Sequence, residues 1–139
     1  PRAEGELRKA LLEKGFLESE IQVVIENLIK QKMIDDERFV KYFLESYQKS
    51  KPLGLYAIKN KLKEKGISEM LIEEALLQYY KENSATEEAY LLIEKRWYKY
   101  EKLQNFEKKE KIFAYLYARG FETDIIGEVI EKLKEKGLF

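Results

Sequence analysis

Lys61-Leu62-Lys63-Glu64-Lys65-Gly66-Ile67, with Ile58 before it and Ile72 and Leu76 after it, decides the fold of this 139-residue chain. Leu62 and Ile58 stand four and eight positions before the Gly, and Ile72 and Leu76 stand six and ten after it. That is helical spacing on both sides of a break. The same arrangement occurs twice more without a gap. Leu11-Leu12-Glu13-Lys14-Gly15-Phe16 follows Leu7 and leads to Ile21, Ile25 and Leu28; Leu116-Tyr117-Ala118-Arg119-Gly120-Phe121 follows Ile112 and leads to Ile126, Ile130 and Leu133.

The break has a physical logic. A basic residue (Lys14, Lys65, Arg119) in the last turn faces the negative end of the helix dipole, and the Gly behind it can adopt the left-handed conformation that closes a helix. The next residue (Phe16, Ile67, Phe121) can then fold back onto the apolar face. Ser19, Ser68 and Thr123 are the candidate caps of the second helix in each pair. Each unit therefore reads as a helix-turn-helix pair.

A third helix is predicted after each of the first two pairs. Asp35-Asp36-Glu37-Arg38-Phe39 places acids where a helix start favours them, and Phe39, Tyr42, Phe43 and Tyr47 recur at three- and four-residue spacing. Its counterpart follows Glu82-Asn83-Ser84-Ala85-Thr86, with Ala89, Ile93, Trp97 and Tyr100 as its apolar stripe. The third unit reaches Phe139 before any such helix forms. The prediction is an all-α, elongated tandem array of three-helix repeats, about eight helices, divided as 1–50, 51–102 and an incomplete 103–139, with hinges at Lys51–Gly54 and Asn83–Thr86. A chain that starts at Pro1 rather than Met is expected to lack an upstream segment.

Composition narrows the function. There is no His and no Cys, which removes thiol nucleophiles, imidazole bases, disulfides and typical zinc sites. No Gly-rich phosphate loop is present, and an enzyme with carboxylate or Lys catalysis has no motif in support. Asp35-Asp36-Glu37 could suggest a hard cation, but without EF-hand spacing helix capping explains it better. No apolar run is long enough to cross a bilayer and no signal-peptide core is visible, so the expectation is a soluble, cytoplasmic protein.

The 26 basic and 26 acidic residues cancel, yet they are not mixed. Lys49 to Gly66 carries +5, Ile67 to Glu88 carries −5, and Ala89 to Gly120 carries +4. The candidate basic surface is Lys49, Lys51, Lys59, Lys61, Lys63 and Lys65, joined by Arg96 and Lys99. Leu55, Ile58 and Leu62 face the core, with Lys61 and Lys65 on one edge and Lys59 and Lys63 on the other. For any single Lys, snorkelling beside an apolar face is the simpler reading; the functional one is a ridge that tracks phosphates or binds acids. Tyr56 and Arg96-Trp97-Tyr98-Lys99-Tyr100 interleave rings with cations, although Trp97, in helical register with Ile93 and Ala89, reads as core rather than as a stacking platform.

In order and spacing, Leu7-Arg8-Lys9-Ala10-Leu11-Leu12-Glu13-Lys14-Gly15-Phe16, Asp35-Asp36-Glu37-Arg38-Phe39, Lys61 to Ile67 with Glu74-Ala75-Leu76, and Ala118-Arg119-Gly120-Phe121 with Asp124-Ile125-Ile126 resemble the RecX family, regulators of the bacterial recombinase RecA. The resemblance spans nearly the whole chain. It implies a curved helical array, monomeric and without a cofactor, that binds in the groove of the RecA filament on DNA. Such binding restrains filament growth, ATP hydrolysis, strand exchange and coprotease activity, in DNA repair, recombination and the SOS response. It also implies weak or indirect contact with single- or double-stranded DNA, for which Lys49 to Lys65 is the matching basic surface. The alternative is a tandem helix-turn-helix nucleic-acid-binding protein acting without RecA, which the −5 segment beside the +5 one opposes electrostatically.

Overall fold

The repeated glycines do close helices. In a computed structural model describing residues 4–139, Gly15, Gly66 and Gly120 adopt φ values of 91°, 82° and 90°. Each turn uses the same pair of bonds. Around Gly66, its amide donates to the Lys63 carbonyl (2.9 Å) and Ile67 N donates to the Leu62 carbonyl (3.1 Å), which satisfies two end carbonyls of the finished helix. A fourth copy, absent from the sequence reading, stands at Gly137, where Leu138 N donates to the Leu133 carbonyl at 3.1 Å.

The helices are α1 (Glu4–Glu13), α2 (Glu18–Ser50), α3 (Leu55–Glu64), α4 (Glu69–Glu82), α5 (Ala85–Lys95), α6 (Asn105–Ala118) and α7 (Thr123–Glu135), with a 3₁₀ turn at Trp97–Lys99. The described residues are thus all-helical, as the periodicity requires, with seven α-helices. The difference from the eight expected lies in α2, which runs unbroken through Asp35-Asp36-Glu37 for 33 residues. Asp36 pairs with Lys32 at 2.7 Å and Asp35 accepts from Gln31 at 3.1 Å, both one turn earlier. With no Gly or Pro near Ile34, interior acids cost only tenths of a kcal/mol and each i,i+4 pair returns about 0.2–0.5 kcal/mol, so nothing ends the helix.

Two of the three expected caps do not form. Ser68 does cap α4, accepting from Leu71 N at 3.3 Å, but Ser19 and Thr123 lie inside α2 and α7. At α2 the Glu20 carboxylate serves instead, accepting from Leu17 N at 2.9 Å.

The chain divides into two compact units, one ending at Phe39 and one over Val40–Phe139. In the first, Ile21 and Ile25 are buried and Arg8 ties α1 to α2 by an ion pair with Glu18 and a 2.9 Å bond to Gln22. Phe16 and Leu28, expected to fold onto that core, stay about half exposed.

The second unit holds two apolar clusters. Val40, Phe43 and Leu44 of α2 pack with Leu53, Ile58, Leu62, Ile67, Ile72 and Leu76; Ala89, Tyr90, Leu92 and Ile93 of α5 pack with Tyr100, Ile112, Leu116, Phe121, Ile126, Val129 and Leu133. Fully burying each large aliphatic or Phe side chain stabilises by roughly 1.5–3 kcal/mol. In each cluster, a helix leading into a helix-turn-helix pair covers that pair's shared apolar face. Trp97 packs against the second cluster beside Tyr100 and Phe139, as a core side chain.

Candidate interaction surface

The segment Lys51–Gly54, expected as a hinge, is instead the joint that holds α3 against the α6–α7 turn. Pro52, Leu53 and Gly54 are buried. Gly54 N donates to the Arg119 carbonyl at 2.9 Å and Tyr56 N donates to the Gly120 carbonyl at 3.1 Å. The amides of the N-cap Gly54 and of Tyr56 in the first turn of α3, where no side chain caps, are thus satisfied by carbonyls at the end of α6. Those carbonyls meet the positive end of the α3 dipole. The approach is so close that a Cβ on Gly54 would lie 2.1 Å from Phe121 N. The Arg119 side chain closes the joint, its Nε and Nη2 donating to the Pro52 and Lys51 carbonyls at 3.1 and 2.8 Å.

A second tie lies beside it. The buried Gln48 of α2 accepts from Leu53 N at 2.8 Å, donates to Leu53 O at 3.0 Å and to Glu88 of α5 at 3.3 Å. Tyr79 of α4 donates its hydroxyl to the other Glu88 oxygen. Burial pushes the Glu88 carboxyl above its ordinary value, against the two hydrogen bonds that favour the charged form. Tyr79 is likewise raised, chiefly by burial, and stays a neutral donor; Tyr80 is raised for the same reason.

This scaffold places the predicted cations as follows. Lys49 is exposed in the last turn of α2 and Lys51 is exposed just beyond it. On α3, Ile58 and Leu62 are fully buried, Lys59 is half-buried beside them, and Lys61, Lys63 and Lys65 are exposed. Lys61 Nζ stands 5.6 Å from the Tyr47 ring. Among the described residues only Lys63 of these six has a carboxylate partner, Glu69 at 3.7 Å. An exposed pair of that kind contributes at most about 1 kcal/mol and leaves the cation available.

Arg96 and Lys99 belong to the other cluster. Arg96 is engaged internally: Nε donates to the Tyr100 hydroxyl at 3.2 Å, and the guanidinium lies 3.7 Å from the Tyr115 ring centre. Lys99 is exposed, 6.0 Å from the Tyr98 ring. The structure therefore gathers the six lysines along α3 and its approach, and gives Arg96 a packing role.

Sequence reasoning passed over three kinds of residue. Gln48, Tyr79 and Glu88 are far apart in the chain and carry no motif. Arg119 reads in the sequence as a helix-end cation, and its longer reach across the joint is visible only in the fold. Phe106, Phe113 and Tyr117 are exposed on α6; the signal was available, since they fall at i, i+7 and i+11, off the stripe of Ile112 and Leu116. Among the described residues, no group of three or more acidic, His or Cys residues could hold a metal ion, and no helix is long and apolar enough to cross a membrane.

A family model described as RecX, second three-helix domain, matches residues 35–76, and one described as RecX, third three-helix domain, matches 84–130. Each span opens on a leading helix and closes in the pair it covers, the grouping of the two apolar clusters. The chain is 30% identical over 128 residues to the regulatory protein RecX of Prosthecochloris aestuarii, covering 92% of this chain and 82% of that one. It is 31% identical to that of Clostridium beijerinckii over 95% of this chain and 62% of that one. To the regulatory protein RecX of Bacillus cytotoxicus it is 29% identical over 97% of this chain but only 50% of the relative's length. The crystal structure of RecX from Lactobacillus salivarius superposes with a TM-score of 0.68 at 27% identity, covering 96% of this chain and 86% of that one.

Proposed function

Because this chain belongs to the RecX family, we propose that it is a non-catalytic regulator that binds the RecA–DNA filament and inhibits filament growth, ATP hydrolysis, recombination and coprotease activity. The observation that carries this reading is a repeat-built scaffold, in a family whose relatives are named regulatory proteins, with Lys59, Lys61 and Lys63 on α3 and Lys49, Lys51 and Lys65 on either side of it. Repeats present contact surfaces at regular intervals, and a polymer offers the same epitope at each step, so modest contacts reinforce one another. In this reading the protein acts as a cytoplasmic monomer, by occupancy. Lys49, Lys51, Lys59, Lys61, Lys63 and Lys65, with Lys99, face the filament, and DNA contact is weak or indirect.

The test is RecA ATPase on single-stranded DNA with and without the protein, together with co-sedimentation. Inhibition that falls when Lys59, Lys61, Lys63 and Lys65 are changed to Gln is the expected result. A protein that neither inhibits nor co-sediments would overturn it.

A further inference from the structure

The acids between Ile67 and Glu88 are the part of the charge pattern that the filament reading leaves unused. Their fates in the fold differ. Glu69 pairs with Lys63 at 3.7 Å, Glu87 pairs with Lys132, and Glu88 is held by Gln48 and Tyr79. Glu73, Glu74 and Glu82 are exposed and, among the described residues, have no cation partner. Glu73 and Glu74 stand at the centre of α4. Ile72 and Leu76 of that helix turn inward, and its opposite side is the stripe Met70, Glu73, Glu74, Leu77 and Lys81, at i, i+3, i+4, i+7 and i+11. Met70 and Leu77 are 72% and 68% exposed, more than any other aliphatic or methionine side chain among the described residues. Apolar side chains scattered singly on a surface are ordinary, but these two share a stripe with a pair of unpartnered carboxylates between them.

The repeat supplies a comparison. Counted on from Gly66 and Gly120, the stripe of α4 corresponds on α7 to Asp124, Gly127, Glu128, Glu131 and Glu135, which are also exposed: acidic again, but without an apolar side chain. The first helices follow another pattern, since counted back from the same glycines Lys59 and Lys63 hold on α3 the positions that Phe113 and Tyr117 hold on α6. A helix-turn-helix that reads DNA lays its second helix in the major groove. Carboxylates on the outward side of that helix meet phosphates with like charge, so α4 and α7 are unsuited to the groove.

We propose that the outward face of α4, Met70 and Leu77 flanking Glu73 and Glu74, docks a basic helix of a protein partner. The partner's aliphatic side chains cover Met70 and Leu77, and its Lys or Arg side chains pair with the two carboxylates. Complementary charge selects the partner, because Glu73 and Glu74 repel an acidic or phosphate-bearing one. Lys81, one turn beyond Leu77, disfavours a second cation there and so confines the partner's charges to the span between Met70 and Leu77. Three- and four-residue ridges of exposed side chains are the form in which one helix packs on another. The face asks for this chemistry and not for RecA, so it stands or falls separately from the filament reading.

The experiment is fluorescence anisotropy of a short, labelled peptide of Leu and Lys, with all its Leu on one helical face, titrated with the protein at several salt concentrations. The same peptide with Glu in place of Lys should not bind. Glu73→Gln/Glu74→Gln is expected to bind the basic peptide about 2- to 30-fold more weakly at low salt, the difference closing as salt rises. Met70→Gln/Leu77→Gln keeps helix propensity and is expected to lose about 10-fold or more at every salt concentration. Glu131→Gln/Glu135→Gln, which removes two acids of the α7 stripe, should leave binding nearly unchanged, and circular dichroism should show all three variants folded. Four results would overturn the proposal: no binding of the basic peptide by the unaltered protein, undiminished affinity of either α4 variant, an equal loss in the α7 variant, or a dimer of the unaltered protein that Met70→Gln/Leu77→Gln does not form. The third would reduce the effect to general attraction by acids, and the last would make the occupant a second copy. If the α4 variants keep the peptide but bind oligothymidylate more weakly, the face belongs to nucleic acid instead.

Discussion

Changing Gly54 to Ala tests the joint most directly, because the two forces on that residue act in opposite directions. Gly54 has φ −79° and ψ 169°, a conformation open to any residue, so on backbone grounds alone alanine should stabilise by about 0.4–1 kcal/mol through the unfolded chain. The surroundings reverse that sign. The new Cβ would lie 2.1 Å from Phe121 N, 2.2 Å from Gly120 C and 2.4 Å from Gly120 O, all backbone atoms that no rotamer change can move. The joint must open. It then loses the Gly54–Arg119 and Tyr56–Gly120 bonds, each worth roughly 1 kcal/mol, and strains the two Arg119 bonds. A net loss of about 3 kcal/mol is expected, a melting-temperature drop on the order of 10 °C. Gly66→Ala is the control: it has positive φ but no atom within 4 Å of the added Cβ, and should cost only the left-handed strain of about 1–2 kcal/mol. Urea unfolding of the two variants ranks them. If Gly54→Ala is as stable as the unaltered protein while Gly66→Ala is not, the close approach at the joint is refuted.

Glu88 gives a pH signature. Its carboxyl is raised in the fold, so between its ordinary value of 4.5 and the raised one the folded state binds more protons than the unfolded, and this group's contribution to stability falls as pH rises. Relative to Glu88→Gln, the protein should gain melting temperature as pH falls from neutral into that window; a difference that is flat with pH would contradict the buried setting. Arg119→Ala should cost about 1–3 kcal/mol in urea unfolding, and Arg119→Lys should recover only part of it, because one ammonium cannot reproduce the guanidinium fork across two carbonyls. Full recovery would mean that charge alone mattered. Hydrogen exchange tests α2: the amides of Asp36, Glu37 and Arg38 should exchange as slowly as those of residues 30–34, whereas rapid exchange would restore a helix start at Asp35.

What the sequence makes legible here is local. The spacing around Gly66 is enough to find the turns, because left-handed closure and four-residue periodicity act within a dozen residues, and Ile58, Leu62, Ile112 and Leu116 are all fully buried as the pattern requires. Asp35-Asp36-Glu37 misled because acids favour a helix start without forbidding a helix interior, and only the missing Gly or Pro decides between them. Pro52 and Gly54 look like a hinge for a comparable reason. Their composition is that of a loose connection, while the carbonyls that fix them come from Arg119 and Gly120, more than sixty residues away. The candidate surface was legible as charge on α3. The rings of α6 were hidden in plain view, because exposed aromatics become informative only once Ile112 and Leu116 are known to occupy the core.

The joint between α3 and the α6–α7 turn is made of main-chain amides and carbonyls, closed by a single arginine whose partners are also carbonyls. Nothing in it consults the outward side chains of either helix. Stacking and surface chemistry are therefore separable: one repeat displays lysines and the next displays rings without either choice altering how the two meet. A scaffold of this kind can have its outward residues transplanted from one repeat to another, Lys59 and Lys63 for Phe113 and Tyr117, and keep its backbone.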